Sequence, residues 1–312
     1  MSPRLFFGMN PTIRILAFVC MFTAAFYWER KLAAAEPLTF SGSLLKLGYE
    51  QVELRRTDEN RLFLFARVNG RKRSCLLDTG WSFTTVSTNT AARLTNTNTI
   101  DRLELGAASF TNQPTITQDI RIAGQPASFD IVIGCDFLLA HHAIVDCASR
   151  RLYVRRTALS ADKRGMLEKL FSDSRRVVGR MKLRSPPAMT IATRLDGHAA
   201  ELLVDSGAVW SCLDETTARE FDLRLSPSPN QLSSAVAATK KQFRVTTVRE
   251  FTVGGKKIQH SGVAVLNLEP WGFGPDGKLF RDVTGILGGC ELIANDAVID
   301  FGSENLWLRT SR

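Results

Sequence analysis

The sequence predicts an all-β chain with a few short helices, folded as two lobes related by a pseudo-twofold axis. Three observations carry that expectation. First, a short block is written twice: Cys75-Leu76-Leu77-Asp78-Thr79-Gly80, and then Leu202-Leu203-Val204-Asp205-Ser206-Gly207. The two aspartates lie 127 positions apart, and the same offset pairs Asn69-Gly70 with Asp196-Gly197, Val86 with Leu213 and Leu94 with Phe221. Second, both dipeptides suit a two-residue hairpin turn with positive φ. Third, each block is followed by a short apolar run ending in glycine, Ile131 to Gly134 and Gly285 to Gly288, which reads as a buried strand. The repeat is therefore a duplicated hairpin that ends in a carboxylate-bearing turn.

Taken in order, residues 44–54 read as an entry strand. Leu62, Leu64, Ala66 and Val68 alternate with other residues up to the Asn69-Gly70 turn, and 71–77 returns as the second arm. Thr84 to Val86 suits a strand, and Ser87 a cap for a short helix through Leu94. Segments 103–105 and 110–122 supply further strands, 137–142 a helical turn, and 143–146 and 152–154 close the first unit. Ser160 is placed to cap a connecting helix through Phe171. These features give a leader over 1–35, a first lobe over 40–156, a linker over 157–178 and a second lobe over 179–312.

The second unit repeats the plan: arms at 188–195 and 198–204, and an Asp214-capped helix through Phe221. Ala297 to Asp300 answers Ala143 to Asp146, and Leu306 to Leu308 answers Leu152 to Val154. The offset has by then widened to 154. Much of the gain falls between Phe221 and Gly254, where 231–236 and 242–248 read as the arms of an extra hairpin with its tip at 237–239.

Composition narrows the function classes. The 312 residues are 44% hydrophobic and 23% charged, enough apolar material for a packed core. Arg4 and Arg14, an apolar run over 15–28 and Ala33-Ala34-Ala35 read as a cleaved secretory signal peptide or as an uncleaved membrane anchor. Either places the folded part outside the cytoplasm, periplasmic or extracellular, with membrane contact through that segment alone. The net charge of +9 is scattered in pairs such as Arg55-Arg56 and Lys240-Lys241. Without a basic stripe interleaved with aromatics, nucleic acid is not an expected partner. Of six cysteines, Cys20 sits in the leader, and the other five are not spaced as a disulfide framework or a zinc site. His141-His142 reads as a surface pair. No Gly-x-Ser-x-Gly elbow supports a serine hydrolase.

Two apolar-Asp-[Thr/Ser]-Gly turns, each followed by an apolar-apolar-Gly strand, resemble the aspartic proteases. Each unit is similar in size to a retropepsin-like subunit, and two in one chain are similar to the bilobal pepsin-like arrangement. The resemblance spans about residues 44–312. It implies a bilobal acid-protease fold and an aspartic endopeptidase acting on an extended polypeptide, needing no cofactor and no metal. It implies a monomer with an intramolecular pseudo-dimer.

By the same resemblance, Asp78 and Asp205 are the catalytic pair, sharing one proton because two adjoining carboxylates do not both ionise at low cost. Thr79, Gly80, Ser206 and Gly207 support the two turns, the hydroxyls bonding across the lobe interface. Gly134 and Gly288 sit where a strand crosses behind each turn. Trp81 and Ala208, next after the triplets, and Phe243, on the extra hairpin, are the candidate substrate-binding residues. Trp81 departs from the small residue usual there and either crowds the cleft or lines a subsite. The extra hairpin belongs to the second unit, whereas pepsin-like enzymes carry their flap on the first. The flap tyrosine has no counterpart among Tyr27, Tyr49 and Tyr153. The rival reading is a catalytically silent peptide- or partner-binding protein on the same scaffold.

Overall fold

The computed structural model describes residues 39–94, 98–120, 129–174, 176–232, 241–260, 262–274 and 277–309. The leader and the tip of the extra hairpin lie outside them. Among the described residues no helix is long and apolar enough to cross a membrane.

The two Asx-Gly turns do what their residues dictate. Asn69 (φ 48°) and Gly70 (φ 80°), then Asp196 (φ 47°) and Gly197 (φ 88°), all adopt left-handed backbone, as a two-residue hairpin loop requires. Val68 pairs with Arg71 and Leu195 with His198 across them. The hairpin strands are Leu62–Val68 with Arg71–Leu77, and Ala188–Leu195 with His198–Val204. In each lobe the second arm delivers the aspartate.

A second rule, also shared, fixes where each arm ends. Arg71–Leu77 pairs parallel with Ile131–Ile133, which pairs antiparallel with Thr85–Ser87, which pairs parallel with Ile116–Gln118. His198–Val204 repeats this with Gly285–Leu287, Cys212–Asp214 and Val263–Leu266. Leu77, Ile131, Ile133, Val204 and Leu287 are buried on one face and Leu76, Val132 and Leu203 on the other, so the central strands are apolar on both faces, as parallel pairing within a core demands. The fold is all-β and two-lobed, with short helices at the rims.

The lobes are joined by one continuous sheet. Ile144–Asp146 pairs antiparallel with Val298–Asp300, Val145 opposite Ile299. Arg151–Val154 and Glu50–Glu53 extend the sheet on one side, and Asn305–Arg309 and Arg176–Arg184 on the other.

Several expectations are corrected. The entry segment is a helix, Phe40–Lys46, and then the strand Glu50–Glu53. Gly48 at φ 89° ends the helix, with Gly48 and Tyr49 N–H groups donating to the Leu45 and Leu44 carbonyls. Ser160 stands at the start of the linker helix Ala161–Asp173 without a side-chain capping bond. The other two caps form: Ser87 Oγ accepts from Thr90 N–H at 3.3 Å and Asp214 Oδ1 from Thr216 N–H at 2.9 Å. Their helices are shorter than expected, Thr88–Ala91 and Glu215–Glu220.

The extra hairpin begins earlier, with arms Ser226–Leu232 and Lys241–Thr246 and a register shift between Pro227 and Gln231. His141 is not a surface residue. Its ring lies 4.2 Å from that of Phe110 and 4.3 Å from that of Phe137, and bonds Gln113 Oε1 at 2.8 Å. Burial pushes its pKa down to about 4. Cys75, Cys135, Cys147, Cys212 and Cys290 are free thiols.

Candidate active site

Each aspartate is held at its strand end by the crossing strand. Asp78 N–H donates to the Ile133 carbonyl (3.1 Å), and Asp205 N–H to the Leu287 carbonyl (3.0 Å). The chain then turns so sharply that the carboxylate folds back on its own turn. Gly80 N–H donates to Asp78 Oδ1 at 3.0 Å. Gly207 and Ala208 N–H groups donate to Asp205 Oδ1 at 2.7 and 3.0 Å.

The two turns interlock. Thr79 Oγ1 donates to the Val204 carbonyl and accepts from Ser206 N–H, both at 2.9 Å. Ser206 Oγ donates to the Leu77 carbonyl and accepts from Thr79 N–H, both at 3.2 Å. Three buried polar groups of each lobe are thus satisfied by the other through four hydrogen bonds, so the turns stand in fixed register.

Within that grip the carboxylates meet. Asp78 and Asp205 hydrogen-bond each other through their side chains. A methyl group on Gly80 would collide with the Asp205 carboxylate, and one on Gly207 with that of Asp78. Each glycine therefore makes room for the opposite lobe's acid, a close approach that no other residue permits. Gly134 and Gly288 do the same one layer behind. A Cβ on Gly134 would lie 2.7 Å from Phe83 C and 2.8 Å from Trp81 O, and one on Gly288 2.8 Å from Ser211 N.

Electrostatics divide the pair. Asp78 is 6% exposed. Burial, and after it the adjoining Asp205, pushes its pKa well above the ordinary carboxylate range. Burial also raises Asp205, but the Asp78 hydrogen bond, the Gly207 and Ala208 N–H groups and the Arg61 cation oppose the rise. The two carboxyls therefore titrate as one coupled pair whose surroundings favour the proton on Asp78 over Asp205.

The three remaining sequence candidates lie in different settings. Trp81 does not fill the space between the acids: its Nε1–H donates to Thr85 Oγ1 at 2.7 Å, and it packs beside Leu76, Ile120, Phe129 and Val132 of its own lobe. Ala208 stays on the second turn through its N–H bond to Asp205. Phe243 is buried at the base of the extra hairpin, its ring 5.6 Å from that of Trp210.

Three features escaped the sequence reading. Thr84 Oγ1 donates to Asp136 Oδ1 (2.8 Å) and accepts from Gly134 N–H (3.3 Å). Ser211 Oγ repeats this with Glu291 Oε2 (2.7 Å) and Gly288 N–H (3.0 Å). Thr84 and Ser211 stand six residues past the aspartates, so the repeat offset was the signal that could have found them. The third is Arg61, whose Nε–H donates to the Gly207 carbonyl at 3.1 Å.

Residues 191–271, which include the second triplet, match the family model of the gag-polyprotein putative aspartyl protease. Among solved structures, the aspartic proteinase from Irpex lacteus is 15% identical, covering 84% of this chain and 97% of its own, with a TM-score of 0.49. The retropepsin-like aspartic protease from Rickettsia conorii is 16% identical, covering 34% of this chain and 90% of its own, with a TM-score of 0.27. None of the curated proteins matches the sequence. In its matched segment, which carries the second copy of the motif, the chain is similar to the putative aspartyl proteases of gag polyproteins.

Proposed function

We propose that this protein is an aspartic endopeptidase that hydrolyses peptide bonds with a water activated between Asp78 and Asp205. The observation that carries the reading is the mutual hydrogen bond of two acids from different lobes. In the step proposed, ionised Asp205 takes a proton from the water as its oxygen attacks the peptide carbonyl carbon. Asp78 gives its proton to the carbonyl oxygen, which yields a neutral tetrahedral diol. Collapse breaks the C–N bond as the amide nitrogen takes up the proton held by Asp205, while the diol returns its own to Asp78. The substrate of this reading is an extended polypeptide, held by backbone pairing with side chains in apolar pockets.

We propose further that the protein acts as a monomer, both acids being supplied by one chain. We place it outside the cytoplasm on the strength of residues 1–35, which fractionation of tagged protein tests. For the activity, purified protein should cleave an unfolded polypeptide and be inhibited by a statine-type transition-state mimic. Asp78→Asn and Asp205→Asn should each abolish cleavage; survival of activity in either removes the assignment. Peptide binding without cleavage by the native chain would leave a binding protein on this scaffold.

A further inference from the structure

The duplication breaks at a buried position whose side chain bonds the second active turn. Arg61, just before the first hairpin arm, corresponds by the 127-residue offset to Ala188. Both are deeply buried, at 3% and 0% exposure. An isolated buried cation is costly unless it is paired and hydrogen-bonded, so its surroundings say what it is for.

The guanidinium sits at the end of a tight loop. Thr57 N–H donates to the Arg61 carbonyl (3.0 Å), Asn60 N–H to the Thr57 carbonyl (2.9 Å), and Arg61 N–H to Thr57 Oγ1 (3.1 Å). From there the side chain crosses to the other lobe and donates Nε–H to the carbonyl of Gly207, inside the Asp-Ser-Gly turn. Its charge pairs with Glu59 on the same loop and is felt by both Asp78 and Asp205. Glu59 is half exposed, with 43% of its side-chain surface open, so water screens it more than it screens the buried Asp78. The nearby Cys212 thiol is buried, and its pKa is pushed up, chiefly by burial and then by Asp205, so it adds no charge. An arginine keeps its proton in such a place.

We propose that Arg61 is a positioning residue supplied by the first lobe, which clamps the second lobe's active turn through Gly207 and offsets the negative charge of the Asp78–Asp205 pair. This rests on the endopeptidase reading for its kinetic consequence, but the charge relation stands by itself. A nearby cation favours ionised carboxylates, so its loss raises the pKa of both proton steps of the pair. Both limbs of the bell-shaped pH profile of kcat/KM therefore move to higher pH in Arg61→Gln, by about one pH unit or more. Arg61→Lys, which keeps the charge and loses the fork, brings the limbs back toward the native positions while kcat stays low. Glu59→Gln, which strips the cation of its partner, moves them slightly the other way.

The same series is followed by carbon-detected NMR titration of the Asp78 and Asp205 carboxyls, which needs no turnover. If the native protein cleaves nothing, the endopeptidase reading fails and the titration still decides the role of Arg61. A loss of kcat in Arg61→Gln with both carboxyl titrations unmoved, or a lysine variant that titrates like the glutamine one, overturns it.

Discussion

The first and second lobes share their hairpin turns, crossing strands and acid-bearing turns, yet differ in what surrounds them. The second carries the extra hairpin Ser226–Leu232 with Lys241–Thr246 and a small Ala208 after its triplet. The first has no counterpart to that hairpin among its described residues, carries Trp81 after its triplet, and reaches across with Arg61. What the lobes hold in common is what a pair of facing carboxylates requires geometrically. What they hold separately lies outside that geometric requirement, where a single copy suffices and symmetry confers nothing.

The comparison can be broken or sharpened by experiment. The largest effect is expected from the shared acids: Asp78→Asn and Asp205→Asn should each lower kcat about 10³-fold or more in a peptide-cleavage assay. Next come the crossing glycines. Gly288→Ala should cost about 3 kcal/mol in urea unfolding, because its methyl meets Trp210 and Ser211 backbone that has nowhere to go. Gly134→Ala, with a nearest contact of 2.7 Å, should cost less.

The hydroxyl grip is finer. Thr79→Val leaves Ser206 N–H and the Val204 carbonyl without their 2.9 Å partners, at about 2 kcal/mol. Ser206→Ala gives up two 3.2 Å bonds and should cost about 1 kcal/mol. Equal losses in these two would say that the interlock is symmetric in energy as well as in pattern.

A pH-dependent effect concerns the joining sheet. Burial raises the Asp300 pKa from 3.8 to about 6. A carboxyl raised on folding adds stability below its unfolded value and loses it as pH climbs through the folded one. Native stability should therefore fall between about pH 4 and pH 6 through this group, by up to about 3 kcal/mol. In Asp300→Asn thermal melts across that window should show a shallower fall.

Much of the site was legible because its constraints are local and repeated. The Asx-Gly loops demand positive φ, the triplets need an apolar strand before them, and one offset carries both through the chain. The entry segment misled because Gly48 looks tolerable in a strand until its left-handed backbone is seen ending a helix. The extra hairpin was framed too late because its first arm contains Pro227 and Pro229, which cannot donate to a ladder. A register shift accommodates that stretch. Arg61 was invisible for another reason: its bond reaches a residue 146 positions away, and no periodicity or spacing announces such a contact.

The strand pair Ile144–Asp146 with Val298–Asp300 has a consequence for how the molecule could be taken apart. Cutting the polypeptide within the linker helix would free no fragment, since each half presents an open ladder edge that its counterpart alone completes. Co-expressed halves should therefore find one another and rebuild the whole, as separate subunits would.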